Sequence, residues 1–307
     1  MKLSIVIPAW NEEENIKPLY ADILKNLKKN KYSNYEIIFI DDGSTDSTLK
    51  EIKKLKDKNV KFISFRKNFG KAEALNQGFK KVTGDIVFTM DADLQDNPIE
   101  FPKFIKKMNE GYDIVSGWKF NRLDPLAKRL PSKFFNKLTR TLTGVKLNDF
   151  NCGFKAYKKE VVKSLRLYGE MHRYIPAIAS WKGFKVGEIK VEHRERLHGV
   201  TKYGWERLAK GLLDLCTITF LGSYQRSPLH LFGTIGIALT SLGVLTGIYL
   251  TIKWFEGYAL SNRPLLLLAI LLVVLGIQIL SIGLIAEMIN YNKYYKQDNG
   301  EIIKEKN

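Results

Sequence analysis

Glu36-Ile37-Ile38-Phe39-Ile40-Asp41-Asp42-Gly43-Ser44-Thr45-Asp46 is an apolar, β-branched run that stops abruptly on two carboxylates and a glycine turn. Such a run bounded by turn formers reads as a buried strand over Glu36 to Ile40, and Gly43 and Ser44 suit a tight turn into a helix start. The same pattern recurs on both sides. Strands are predicted at Leu3 to Ile7, Lys61 to Phe65, Asp85 to Met90 and Asp113 to Val115, with longer stretches of helical period between them. Parallel strands joined by crossover helices follow, an α/β sheet domain. Ligands of open α/β sheets gather at the carboxyl ends of the strands. Asp41, Asp42, Asp91 and Asp93 therefore lie on the binding edge.

The chain has 307 residues, enough for one large domain and an appendage. Lys and Arg outnumber Asp and Glu by 49 to 32, and a net charge of +17 points to a polyanionic partner: nucleic acid, anionic lipid or a phosphorylated substrate. Cys152 and Cys216 stand far apart without disulfide or zinc spacing and read as reduced and structural. The apolar run after Lys2 is too short for a signal peptide and reads as the first strand.

Leu229 to Ile252 and Pro264 to Ala286 contain no Asp, Glu, Lys or Arg. Each exceeds the roughly 20 apolar residues that cross a hydrocarbon core of about 30 Å, so a two-helix transmembrane anchor is predicted. The basic load, including Lys293, Lys296, Lys304 and Lys306, lies outside the short link Lys253 to Arg263. By the positive-inside rule, both termini and the large domain are cytoplasmic, in a cell membrane protein of two spans. In Lys133 to Leu142, Phe134, Phe135, Leu138 and Leu142 recur at helical spacing among basic residues, as in a helix lying on an anionic bilayer surface. The expected organisation is residues 1–225 as the catalytic domain, with surface helices at about 127–143 and 203–222. Spans at 229–254 and 264–288 and a basic tail at 289–307 follow. Gly233, Gly236, Gly243 and Gly247 have small-residue spacing compatible with homo-oligomerisation through the anchor.

Asp91-Ala92-Asp93 offers two hard oxygen ligands at a strand end, suited to Mg²⁺ or Mn²⁺ bridging to a diphosphate. Asp41 and Asp42 can accept hydrogen bonds from a nucleoside. A Gly-x-Gly-x-x-Gly fingerprint is absent, so hydride chemistry is not suggested. Together with Pro8-Ala9-Trp10-Asn11-Glu12, Asn68-Phe69-Gly70-Lys71 and Leu94-Gln95, these elements resemble the family 2 glycosyltransferases. The resemblance implies the nucleotide-sugar-binding, Rossmann-like fold called GT-A and inversion at the anomeric carbon. It implies a donor site of Pro8, Asn11, Glu12, Asp41, Asp42, Lys71 and Asp91, and a metal held by Asp91, Asp93 and Gln95, with Asp93 catalytic.

Downstream, Gly117-Trp118-Lys119, Lys128-Arg129 with Ser132 and Asn136, Asp149 to Lys155, and Arg196 with Gly199 and Lys202-Tyr203 resemble the polyprenyl-phosphate sugar synthases. That family includes the dolichyl-phosphate mannose synthases and bactoprenol glucosyltransferases. It implies an acceptor-phosphate site of Lys119, Lys128, Arg129 and Ser132, with Lys119 and Arg129 at the reacting phosphate. Arg196 and Lys202 would clamp the donor diphosphate. Lysine at 119 stands where arginine is common and lacks its bidentate fork. A phosphate monoester is anionic near pH 7 and attacks without a dedicated base, whereas a sugar hydroxyl needs one. Asp149 is the carboxylate for that position, with an orienting role favoured.

The activity these features imply is a metal-dependent hexosyl transfer from a GDP-mannose- or UDP-glucose-type donor to dolichyl or undecaprenyl phosphate. The partners are then a nucleotide sugar, a polyprenyl phosphate and the bilayer, with no nucleic acid. Two alternatives are weighed: transfer to a hydroxyl of a glycolipid or polysaccharide, and a non-catalytic basic membrane adaptor. Processive enzymes carry Gln-x-x-Arg-Trp, whereas Gln225-Arg226 here runs into Ser227, and an adaptor has no need of Asp91-x-Asp93. His172, His193, His198 and His230 show no ligand spacing and receive no catalytic role. The five tryptophans are assigned to packing and interfacial anchoring.

Overall fold

The computed structural model describes residues 1–120, 126–192, 194, 213–215, 217–220, 222, 227–259 and 264–297, with side chains omitted at 126–134 and 291–297. Two compact units divide the chain, Met1–Thr219 and Phe220–Asn307.

In the first unit, seven strands form one sheet: β1 Leu3–Ala9, β2 Tyr35–Asp41, β3 Val60–Ser64, β4 Ile86–Thr89, β5 Ile114–Lys119, β6 Lys155–Lys158 and β7 Val186–Val191. Their order is β3-β2-β1-β4-β6-β5-β7. The five predicted strands are all present, each within one to four residues of its expected ends. The all-parallel expectation needs one correction. β6 runs antiparallel between β4 and β5, pairing Thr89 with Lys155 and Ser116 with Lys155. Its four residues are too few for alternation to reveal a strand, and the neighbours on both sides hold it. This reversal brings the loop before β6, residues 149–154, to the same edge as Asp91.

Helices cover both faces. Helix α1, Glu13–Lys29, lays Ile16, Leu19, Ile23 and Leu27 on β1 and β2 at helical spacing, and α4, Phe101–Asn109, packs on the same face. Phe88, Phe101, Phe104 and Phe154 stack there, the Phe104 and Phe154 centroids 4.5 Å apart. Each buried ring contributes about 1.5–3 kcal/mol, and the stack ties β4, α4 and β6 together just behind the acidic edge. On the other face lie α3, Lys71–Lys81, α6, Lys159–Ser164, and α7, Ile175–Trp181, over Val6, Ile38, Val87, Ile114 and Tyr157. The short α2, Thr48–Lys54, follows the β2 turn.

Helix α5 spans Leu126–Thr143. Its described second half does not turn its apolar stripe outward: Phe135 is buried and packs with Leu138 against Tyr174, Val145 and Phe150, and Leu142 alone of the three is exposed. Part of the stripe read as bilayer-facing therefore packs against the domain itself. Most of the second expected surface helix, 203–222, lies outside the described residues, as does Cys216. Cys152 is a buried free thiol.

The second unit is a helical hairpin, α8 Pro228–Phe255 and α9 Pro264–Gln297. Both helices are long and apolar enough to cross a membrane, and only 17% and 11% of their apolar stretches are buried within the chain. A core helix of a soluble protein would be covered. Gly236 and Gly243 face α9: a Cβ on Gly236 would lie 2.7 Å from Gly276 O, and one on Gly243 2.8 Å from Ala269 O. Gly236 and Gly243 thus serve packing within the hairpin, whereas Gly247 has open space around it.

Candidate active site

The loops after β1 and β2 are stitched to each other. Asn11, with φ 55°, donates its backbone N–H to Ser44 Oγ at 3.0 Å, and its Oδ1 accepts from Thr45 N at 2.8 Å. Glu12 N donates to Thr48 Oγ1 at 2.8 Å, and Pro8 pairs in register with Ile40. Pro8, Asn11, Glu12, Asp41 and Asp42 are thereby brought to one edge. Both aspartates prove to be builders of that edge. Asp41, 2% exposed, accepts from Ser44 N at 3.1 Å and Ser64 Oγ at 2.7 Å. Asp42, 4% exposed, accepts from Phe69 N at 2.7 Å and Gly70 N at 2.9 Å. Burial pushes the Asp42 carboxyl up, and the two backbone N–H groups oppose it. Only glycine fits at position 43, where φ is 67° and a Cβ would lie 2.2 Å from the Lys67 carbonyl carbon.

The loop after β4 carries the second acidic group. Asp91 is anchored through its N–H, which donates to Asp96 Oδ2 at 3.1 Å. Asp93, 8% exposed, accepts from Gln95 N at 3.2 Å. Asp96 is the acid the sequence reading missed. Its other oxygen lies 3.2 Å from Lys119 Nζ, at the end of β5, and the two side chains are 1% and 13% exposed. Lys119, expected at the acceptor phosphate, thus has an internal partner; burial opposes its charge, but Asp96 with Asp91 and Asp93 holds its pKa above the ordinary value. Lys71, at the start of α3, forms a close ion pair with Asp91 Oδ1. Burial pushes the Asp91 carboxyl up, but the charge and hydrogen bond of Lys71, with Lys119 nearby, outweigh it and hold the group well below the usual carboxylate range.

Beneath Asp91, Gly153 approaches so closely that a Cβ there would touch its carboxylate. A small cavity of about 10 Å³ is lined by Lys71, Asn151, Lys155, His172 and Arg173, among others. Lys155 is buried and donates to the Cys152 carbonyl. Burial, reinforced by Lys71, Arg173 and Lys155, pushes the His172 imidazole well below its ordinary value, so it is neutral. His172 and Lys155 carried no ligand-like spacing; the antiparallel β6 and the turn at 171–174 bring them here. Asp149, 1% exposed, caps its own loop by accepting from Asn151 N at 3.0 Å, and its N–H donates to Glu188 at 3.0 Å.

Lys128, Arg129 and Ser132 fall in the first half of α5, where no side chains are described, and Arg196 and Lys202 lie outside the described residues. The segment leading to them is tied to the acidic loop: Arg194 N donates to Gln95 O at 3.1 Å and its guanidinium pairs with Asp22 at 2.7 Å. A larger cleft of about 490 Å³ opens among Tyr112, Lys146 and Phe184 at the opposite ends of β5 and β7, and neither Asp41, Asp42, Asp91, Asp93 nor Asp96 lines it.

A mixed sheet with helices on both faces and acidic loops after β2 and β4 defines a GT-A glycosyltransferase domain. A family profile described as Glycosyl transferase family 2 matches residues 4–166, and one described as GtrB C-terminal hairpin matches residues 227–291. The chain belongs to glycosyl transferase family 2. It is 35% identical over 306 residues to a dodecaprenyl-phosphate galacturonate synthase of Rhizobium johnstonii, covering 97% of this chain and 90% of the relative. It is also 35% identical to an undecaprenyl-phosphate 4-deoxy-4-formamido-L-arabinose transferase of Shewanella sediminis, over 96% of this chain and 92% of that one. Among solved structures, glucosyl-3-phosphoglycerate synthase from Mycobacterium tuberculosis, determined with Mn²⁺, UDP-glucose and glycerol 3-phosphate, shares the fold. The TM-score is 0.55 at 22% identity, covering 70% of this chain and 80% of that one.

Proposed function

We propose that this enzyme transfers a glycosyl unit, with inversion, from a nucleoside-diphosphate sugar to a polyprenyl phosphate at the cytoplasmic face of a membrane. The observation that carries this reading is the similarity to relatives named as polyprenyl-phosphate sugar transferases, which runs through both the catalytic domain and the hairpin.

Asp91 and Asp93 suit Mg²⁺ or Mn²⁺ held jointly with the donor. Among the described residues no group of three acidic, His or Cys side chains forms a closed cage, and the third nearby acid, Asp96, is already engaged by Asp91 N–H and Lys119. Two carboxylates completed by phosphate oxygens and water would match how Mg²⁺ is ordinarily bound. The metal would take up negative charge on the departing nucleoside diphosphate. Pro8, Asn11, Glu12, Asp41 and Asp42 shape the nucleoside edge, with Gln95 beside the metal and Lys71, Arg196 and Lys202 toward the diphosphate. Lys128, Arg129 and Ser132 hold the acceptor phosphate, and Lys119 adds its charge.

A phosphate oxygen attacks the anomeric carbon as the bond to the diphosphate oxygen breaks and its electron pair leaves with the nucleotide. The phosphate is already anionic, with a second pKa of about 6, so no base is required and Asp149 orients its loop. The two apolar helices span the bilayer with both chain ends cytoplasmic.

The test is transfer from labelled UDP- and GDP-sugars, including glucose, mannose and a uronic acid, into organic-extractable lipid with polyprenyl phosphate added or omitted. Mild-acid-labile lipid label that requires polyprenyl phosphate is the expected result. A hydroxyl-linked product formed without it would identify the other transferase reading.

A further inference from the structure

Lys71 and Asp91 occupy one another in the place where the proposed metal needs a ligand. The ammonium pairs with Asp91 Oδ1, and both side chains are about one-third exposed, at 29% and 32%. Asp96 holds the Asp91 backbone N–H, and Gly153 packs directly beneath the carboxylate. Lys119 is more deeply set, at 13% exposure on Asp96, and Lys155 is buried and donates to the Cys152 carbonyl. Lys71, at the first turn of α3, is the most exposed lysine of this set. A divalent cation on Asp91 and Asp93 would claim the same oxygen or stand within a few ångströms of an ammonium, where like charges repel.

We propose that Lys71 is a positioning residue that competes with the divalent metal for Asp91, so that the metal enters together with the donor diphosphate. The diphosphate oxygens then accept the displaced ammonium, and the charge that opposed the bare metal becomes a contact to the donor. Metal binding without nucleotide is therefore weak. This rests on the assignment of Asp91 and Asp93 as the metal site.

The test is Mn²⁺ binding to the full-length enzyme in detergent, followed by electron paramagnetic resonance without nucleotide and with UDP or GDP. Lys71→Met is expected to bind Mn²⁺ about tenfold more tightly than the wild type without nucleotide, and to gain less from the added diphosphate. Lys71→Arg, which keeps the charge, is expected to stay near the wild type. Equal or weaker nucleotide-free binding by Lys71→Met overturns the proposal. Adding Asp93→Asn to Lys71→Met separates the two assignments. Loss of Mn²⁺ binding in that double variant upholds the metal site whatever Lys71 does, whereas unchanged binding shows that the metal sits elsewhere and removes both.

Discussion

A Cβ built on Gly153 would lie 2.6 Å from Asp91 Oδ2, so the loop before β6 limits where the carboxylate of the proposed metal site points. The clash is with the end of a flexible side chain, which relieves it by rotating. Gly153→Ala is therefore expected to fold normally while misdirecting Asp91. A fall in kcat/KM of about 10–100-fold follows for a displacement near 1 Å, with the thermal midpoint nearly unchanged. Steady-state transfer rates and a melting curve on the same preparation check it.

Asp96 and Lys119 form a buried pair whose loss in halves differs from its loss as a whole. Asp96→Asn leaves the Lys119 ammonium buried without its carboxylate and is expected to cost about 3–5 kcal/mol. Combining it with Lys119→Met removes the stranded charge and is expected to restore most of that stability. Denaturation of the four forms in detergent measures the coupling, and additive losses would exclude it.

Stability in acid should follow Glu36. Burial pushes its carboxyl up, but hydrogen bonds from Lys61, Ser4 and Thr83 outweigh that and hold it at about 2 against its usual 4.5. A lowered folded-state value means the fold favours the charged form. The stabilisation is complete above about pH 4.5 and is lost as pH falls toward 2. Glu36→Gln is expected to lower the melting midpoint at pH 7 and flatten its fall over that interval.

Gly243 and Gly247 should respond in opposite ways to the same change. A valine at 243 meets the backbone of α9 at Ala269 and Val273, where nothing can yield cheaply, whereas position 247 has open space. Gly243→Val is expected to cost about 1–3 kcal/mol or more. Gly247→Val should be close to neutral in a detergent melting experiment, and an equal loss at 247 would point to a second chain packing there.

Much of this molecule was determined by sequence alone. The runs Ile5 to Ile7 and Ile37 to Ile40 are continuous and apolar because they are buried on both faces, so the sheet and its acidic edge were readable from them. The uncharged stretches after Leu229 marked the hairpin because no other environment tolerates such length. Tertiary structure alone decided the rest. Asp41 and Asp42 look like ligand-binding acids in sequence, but only the approach of the Phe69–Gly70 loop makes Asp42 an acceptor for that loop's own backbone. Asp96 is one more acid after Asp91-x-Asp93 until β5 brings Lys119 within 3.2 Å of it. His172 and Lys155 reach the underside of Asp91 because β6 is inserted antiparallel, a pairing set by its neighbours over too few residues to leave a local signal. Periodicity reports burial along one element, whereas a charge pair depends on where two distant elements meet.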